Sequence, residues 1–184
     1  MKVKEGTVMN KTQIRKMCLA AMLIAIGVAA SPINFPIGAS KCCPAQAFVN
    51  VLSGVLLGPW YAAGVGFGCA LIRNILGTGT LLAFPGSIFG AVLAGLLFHK
   101  VKKWIPLAAA GEVFGTAVIG GLVAFPIAKF IMNSETAALF GFVVPFLVSS
   151  AGGAIIGFIL LEALDKSGVL KRASSSLEGS TGNV

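Results

Sequence analysis

Between Lys41 and Gly90 the chain places Gln46, Asn50, Arg73, Asn74, Thr78 and Thr80 near the ends of otherwise apolar runs, and Glu112 stands about two turns inside a later one. Gln46 and Asn50 are four residues apart, so on a helix they share one face. Amides and hydroxyls both donate and accept hydrogen bonds, while the aromatic rings of Phe48, Phe84 and Trp104 can cover a flat ligand. Such a set suits a small neutral or weakly charged ring compound. Asn74, Thr78, Thr80, Phe84, Glu112 and, in a later loop, Glu135 complete the candidate substrate-binding residues around Gln46 and Asn50. A phosphorylated ligand would ask for a basic cradle, but no Walker sequence is present, so the chain by itself has no means of hydrolysing ATP.

Two of these groups allow two readings each. In hydrocarbon a carboxylate must be protonated, paired or turned inward, at a cost of about 2.5 to 3.5 kcal/mol when ionised on insertion scales. Glu112 is therefore either a ligand or proton group, or a structural partner inside the bundle. Arg73, in the last turn of a helix, either snorkels to headgroups and serves the helix end, or faces a cavity. Cys18, Cys42, Cys43 and Cys69 form no pair of CxxC elements and His99 is the single histidine, so neither a metal site nor a bound cofactor is expected. No nucleophile with its base is apparent either, which leaves no catalytic residue to name and argues against an enzyme.

What must position these residues is a membrane bundle. Over 184 residues the composition is 57% hydrophobic and 11% charged, with a mean hydropathy of +0.94, against roughly 25% charged in a soluble domain. The pattern predicts an all-α integral membrane protein with six helices, over about 12–31, 45–57, 60–76, 85–98, 104–125 and 137–161. The second would span only about 20 Å at 1.5 Å per residue, short of a hydrocarbon core of about 30 Å. Pro126 is expected to end helix 5, and Pro145 to kink helix 6. Residues 1–11 then form a polar N-terminal segment, 12–165 the substrate-binding membrane domain, and 166–184 a flexible tail. The first apolar run has no clean cleavage pattern after it and is read as a helix, not a signal peptide.

The net charge of +8 sits at segment ends, where it meets membrane lipid headgroups and not nucleic acid. With six helices, one side receives Lys2, Lys4, Lys11, Arg15, Lys16, Lys100, Lys102, Lys103, Lys166, Lys171 and Arg172, and the other Lys41, Arg73 and Lys129. Eleven against three predicts a multi-pass protein of the cell membrane with both termini cytoplasmic. In helix 1, Ala21, Ala25 and Ala29 form a stripe of small side chains, which serves either packing within the chain or docking of another membrane subunit.

The runs AAMLIAIG, KCCPAQAFVNVLSGVLLGPWYA and IRNILGTGTLLAFPGSIFGAVLAGLL resemble the ThiW family of substrate-binding (S) components of energy-coupling factor (ECF) transporters. The resemblance covers nearly all of 16–164 and is most specific over 41–95. It implies a six-helix bundle of the ECF S-component type, with a ligand pocket near the outer face. The implied partners are a transmembrane coupling protein and two ATPase subunits, which use the ATP. It further implies uptake of hydroxyethylthiazole, the thiazole precursor of thiamine, and contact of the coupling protein with Ala21, Ala25 and Ala29. The alternatives are an S component for thiamine or another vitamin precursor, or an autonomous secondary transporter; for the latter no convincing inverted repeat is seen.

Overall fold

The computed structural model describes residues 10–37, 40–133 and 140–178. Helix α1 covers Lys11–Ala29 and leads into a short antiparallel hairpin, β1 (Phe35–Ile37) and β2 (Ser40–Cys42), in which Phe35 pairs with Cys42. There follow α2 (Pro44–Leu57), α3 (Pro59–Ile75), α4 (Ala83–Val101), α5 (Ile105–Ile131), α6 (Val143–Lys166) and α7 (Val169–Glu178). Apart from the hairpin, the described residues form an all-α bundle. The loop expected between helices 1 and 2 is thus partly sheet, tied to the start of α6 where the Cys42 thiol donates to Pro145 O at 3.0 Å and Cys43 N–H to Ser149 Oγ at 2.8 Å. Burial and the neighbouring Cys43 hold the Cys42 thiol above its ordinary range, so it remains a protonated donor.

α2 is the central column: α1, α3, α4, α5 and α6 all pack on it, and Val49, Val51, Leu52, Val55 and Leu57 are buried there. Prolines open both α2 and α3 in the first turn, where an N–H would have no partner in the helix, and Gly58 at φ 83° makes the break between them. Four helices, α1, α4, α5 and α6, are long and apolar enough to cross a membrane, while α2 and α3 are shorter, at 14 and 17 residues. Trp60, at 83% exposure, and Ile75, Phe130, Ile155 and Ile159 face outward from the bundle. A surface of this kind belongs in lipid, where apolar side chains have no reason to turn inward. The chain is accordingly a multi-pass membrane protein.

Three sequence expectations are corrected. Helix 5 does not stop at Pro126 but continues to Ile131, for a length of 27 residues. Wider π-helical turns at Gly115–Gly120 and Ile127–Ile131 flank the proline, and local changes of helical pitch are one way a membrane helix accommodates a missing N–H. Helix 6 begins at Val143, after a turn at 140–142, which puts Pro145 in its first turn, where it starts the helix instead of kinking it. The tail expected to be flexible contains α7, because Leu170 and Leu177, seven residues apart in a polar stretch, bury one face against the core. Arg15 Nη1 clasps this helix to α1, donating to Ser176 O at 3.3 Å and to Ser176 Oγ at 3.1 Å. The first and last described helices therefore meet at one end of the bundle, and the hairpin and the 77–80 loop lie at the other.

Candidate functional site

The site is built on the first turns of α2. Gln46 and Asn50, sharing a face as their spacing predicts, bond to each other, Gln46 Nε2 donating to Asn50 Oδ1 at 3.3 Å. Arg73 comes from the last turn of α3 and donates from Nη1 to Gln46 Oε1 at 3.0 Å. On the far side Asn50 Nδ2 donates to Glu112 Oε1 of α5 at 3.3 Å, and Thr116, one turn on, donates to the same oxygen at 2.7 Å. Arginine has no acceptor, so its contact fixes the oxygen of Gln46, which fixes the amide of Asn50 in turn. The result is one directed chain of hydrogen bonds from a cation to a carboxyl group, with Arg73 3% and Glu112 0% exposed.

Close backbone approach makes this meeting possible. A methyl group on Gly90 of α4 would overlap Thr116 Oγ1 and lie 3.0 Å from Glu112 Oε1 and 3.3 Å from Asn50 Nδ2. The neighbouring Gly86 carbonyl is also 3.0 Å from Thr116 Oγ1, so the hydroxyl stands between two acceptors with one proton to give.

The four residues of the chain line one narrow cavity, with about 50 Å³ of room for a water-sized molecule inside and about 500 Å³ free of protein atoms when the open mouth is included. Lys41 of the hairpin, Cys43 at the start of α2, and Gly79 and Thr80 of the α3–α4 loop lie at its rim; Ser87, Thr116, Phe146 and Ser149 add to its wall. The loop is an ordered turn: Thr78 and Gly79 N–H both donate to Arg73 O at 2.9 Å, and Gly77 takes φ 72°.

Of the residues singled out from the sequence, Gln46, Asn50, Thr80 and Glu112 line this cavity. Asn74 does not line it; its Nδ2 holds the loop by donating to Ala70 O at 2.8 Å and Thr80 O at 3.0 Å. Thr78 lies outside the lining as well, its hydroxyl 3.1 Å from that of Ser31 at the end of α1. Phe84 stacks at a tilt on Phe67 with centroids 5.5 Å apart, and Phe48 packs on the core. Trp104 belongs to the opposite end of the bundle, under Lys102, and is corrected as a cavity aromatic; the ring in the wall is Phe146. Glu135 lies outside the described residues. Ala21, Ala25 and Ala29 are all exposed on the outer face of α1. For Arg73 the buried position and the bond to Gln46 decide for the cavity. Thr116 was missed, although its position one turn beyond Glu112 on the same face was a usable signal; nothing in the local pattern announced Phe146 or Ser149. Among the described residues no three His, Cys, Asp or Glu side chains come together to hold a metal ion, and the four cysteines are free.

An apolar helical bundle with a small cavity of buried polar lining at one end is the architecture of a membrane protein of the transport class. The family model described as thiamine-precursor transporter protein (ThiW) matches residues 17–167, and the chain belongs to that family. As a member of a family of transporters it is not an enzyme. Comparison with curated proteins and with solved structures finds no match in either.

Because the polar chain is continuous, removing an inner member breaks two hydrogen bonds at once. Replacing Asn50 by leucine at similar volume deprives Gln46 Nε2 and Glu112 Oε1 of a partner, and should destabilise the protein by about 1–3 kcal/mol. Thermal unfolding in detergent should show a lowered midpoint; an unchanged one would mean that the chain carries no stability.

Proposed function

We propose that the chain is the substrate-binding membrane component of an ECF-type importer and captures hydroxyethylthiazole at the outer face. The observation that carries this reading is the buried chain of amides between Arg73 and Glu112, opening on a cavity with Phe146 in its wall. The ligand is a compact aromatic ring with a nitrogen acceptor and a hydroxyl group, which suits such a wall. It has no pyrophosphate to call for a basic cradle. The family description, a transporter of a thiamine precursor, supports the same choice.

In this reading all six helices α1 to α6 span the bilayer, α2 and α3 with their short lengths made up by the hairpin and the 77–80 loop above the cavity. Both ends of the chain face the cytoplasm, because the end of the bundle where Arg15 meets Ser176 also carries Lys16, Lys100, Lys102, Lys103, Lys166, Lys171 and Arg172. The exposed stripe of Ala21, Ala25 and Ala29 is the docking face for the coupling protein, whose two ATPase partners supply the energy that this chain lacks.

Calorimetry on the purified, ligand-stripped protein with hydroxyethylthiazole, thiamine and the aminopyrimidine precursor should show preference for the thiazole; preference for either of the others would replace the substrate. Ala25→Leu should weaken co-purification with the coupling protein and its ATPases while sparing ligand binding, since it obstructs helix approach and not the pocket. An undiminished yield of the complex would move the interface elsewhere. In intact cells a membrane-impermeant thiol reagent should label Ser40→Cys and leave Lys102→Cys protected, and the reverse pattern would invert the topology.

A further inference from the structure

Resting on the reading of the cavity as a ligand site, we infer that the ligand is held directly by Arg73 and Glu112, and that Gln46 and Asn50 act as positioning residues between them. The ligand presents a hydrogen-bond acceptor to Arg73 Nε and a hydroxyl group to Glu112 Oε2.

The hydrogen-bond inventory carries this assignment. Gln46 and Asn50 each spend an oxygen and an N–H on the internal chain, Gln46 between Arg73 and Asn50, and Asn50 between Gln46 and Glu112. Among the described residues, the buried side-chain atoms left without any partner are Arg73 Nε and Glu112 Oε2. These two atoms belong to opposite ends of one chain of bonds, and both residues line the same cavity. Native proteins seldom leave a buried polar atom unpaired, least of all on a charged group, and where such an atom belongs to a residue that lines a cavity, a bound molecule can complete the pairing.

The two unpaired atoms differ in kind. A guanidinium Nε–H can only donate, so it selects an acceptor such as an sp² ring nitrogen or a carbonyl. The free carboxyl oxygen, whose sister oxygen already receives Asn50 and Thr116, selects a hydroxyl, which can donate to it when the carboxyl group is ionised and accept from it when it is protonated. A molecule that satisfies both must carry the two functions at opposite ends of a small frame, with Phe146 available to cover the frame itself. The amides favoured by their spacing have a different duty. They hold the arginine and the carboxyl group at a fixed separation, so the distance between the two ligand functions is what the protein measures.

The test uses hydroxyethylthiazole and two analogues, 4-methyl-5-ethylthiazole, which lacks the hydroxyl, and the thiophene alcohol, which lacks the ring nitrogen. Against the purified full-length protein each deletion should weaken binding roughly 10- to 100-fold. In Arg73→Met the preference for thiazole over thiophene should collapse to near unity while the preference for the alcohol survives; in Glu112→Met the pattern should be the opposite. Arg73→Gln and Glu112→Gln, measured alongside, keep a polar partner for the neighbouring amide and serve if either methionine variant fails to fold; Arg73→Gln should blunt the ring-nitrogen preference and Glu112→Gln the hydroxyl preference. A uniform loss of affinity with both preferences intact would show a purely structural role and overturn the assignment. Collapse of the preferences in Asn50→Leu but in none of the Arg73 or Glu112 variants would return the reading of the ligand to the amides. Failure of the folded wild-type protein to bind any of the three would overturn the thiazole reading and this inference with it, a result distinct from bound ligands with misplaced preferences.

Discussion

A cation and a carboxyl group buried in the same apolar bundle constrain everything around them. Taken singly, each would cost several kcal/mol by order of magnitude. Arg73 and Glu112 do not meet; two amides on α2 span the gap and pass the polarity from one to the other. α3 and α5 are thereby fastened to the central column at one level, and α4 must lie close enough to close the remaining side. That need explains Gly90, where any side chain would enter the space that Asn50, Glu112 and Thr116 occupy. It also explains why α4 and α5 approach so closely above it, with a Cβ on Gly120 only 2.6 Å from Gly86 Cα.

The short α2 follows from the same arrangement. Its first turn begins just past the hairpin, so the polar residues sit below a partial roof made by Lys41 of β2 and by Gly79 and Thr80 of the 77–80 loop. The roof is itself pinned, to α6 by Cys42 and Cys43 and to α1 by Thr78. Low dielectric inside makes each of these bonds stronger than it would be in water, and makes any missing one more costly. A cavity of this sort, with a buried polar wall and an open mouth, is the kind of place where a small molecule can leave water and still find hydrogen bonds.

Much of this was legible in the sequence, for reasons that can be named. Periodicity and composition gave away the bundle, and the i,i+4 spacing of Gln46 and Asn50 gave away a shared face, because both are local properties of a helix. The role of Arg73 was not decidable, since a last-turn arginine beside a glycine turn satisfies a snorkelling pattern equally well; only the position of α3 against α2 decides it. Asn74 and Thr78 look like ligand groups in a list of polar residues but are consumed by the loop they stand in. Phe146 and Ser149 lie about a hundred residues from the hairpin they face, and pairing across that distance leaves no periodic trace. Pro126 misled because the rule that proline ends a helix assumes α pitch, and this helix changes pitch on both sides of it. The polar tail hid a helix because two leucines seven apart are enough to seat one when a prepared surface awaits them.

α1 has the mechanical character of a beam on two pins. It is the least embedded of the long helices, with 11% of its apolar window buried. Its ends are fixed by polar contacts, Arg15 to Ser176 at one and Ser31 to Thr78 at the other. A force applied sideways along its exposed length is therefore shared between its packing on α2 and α3 and these two polar supports. One support is the loop that carries Thr80 and caps the carbonyl of Arg73, so tilting the beam would pull on the rim of the cavity from a distance of nearly the whole helix.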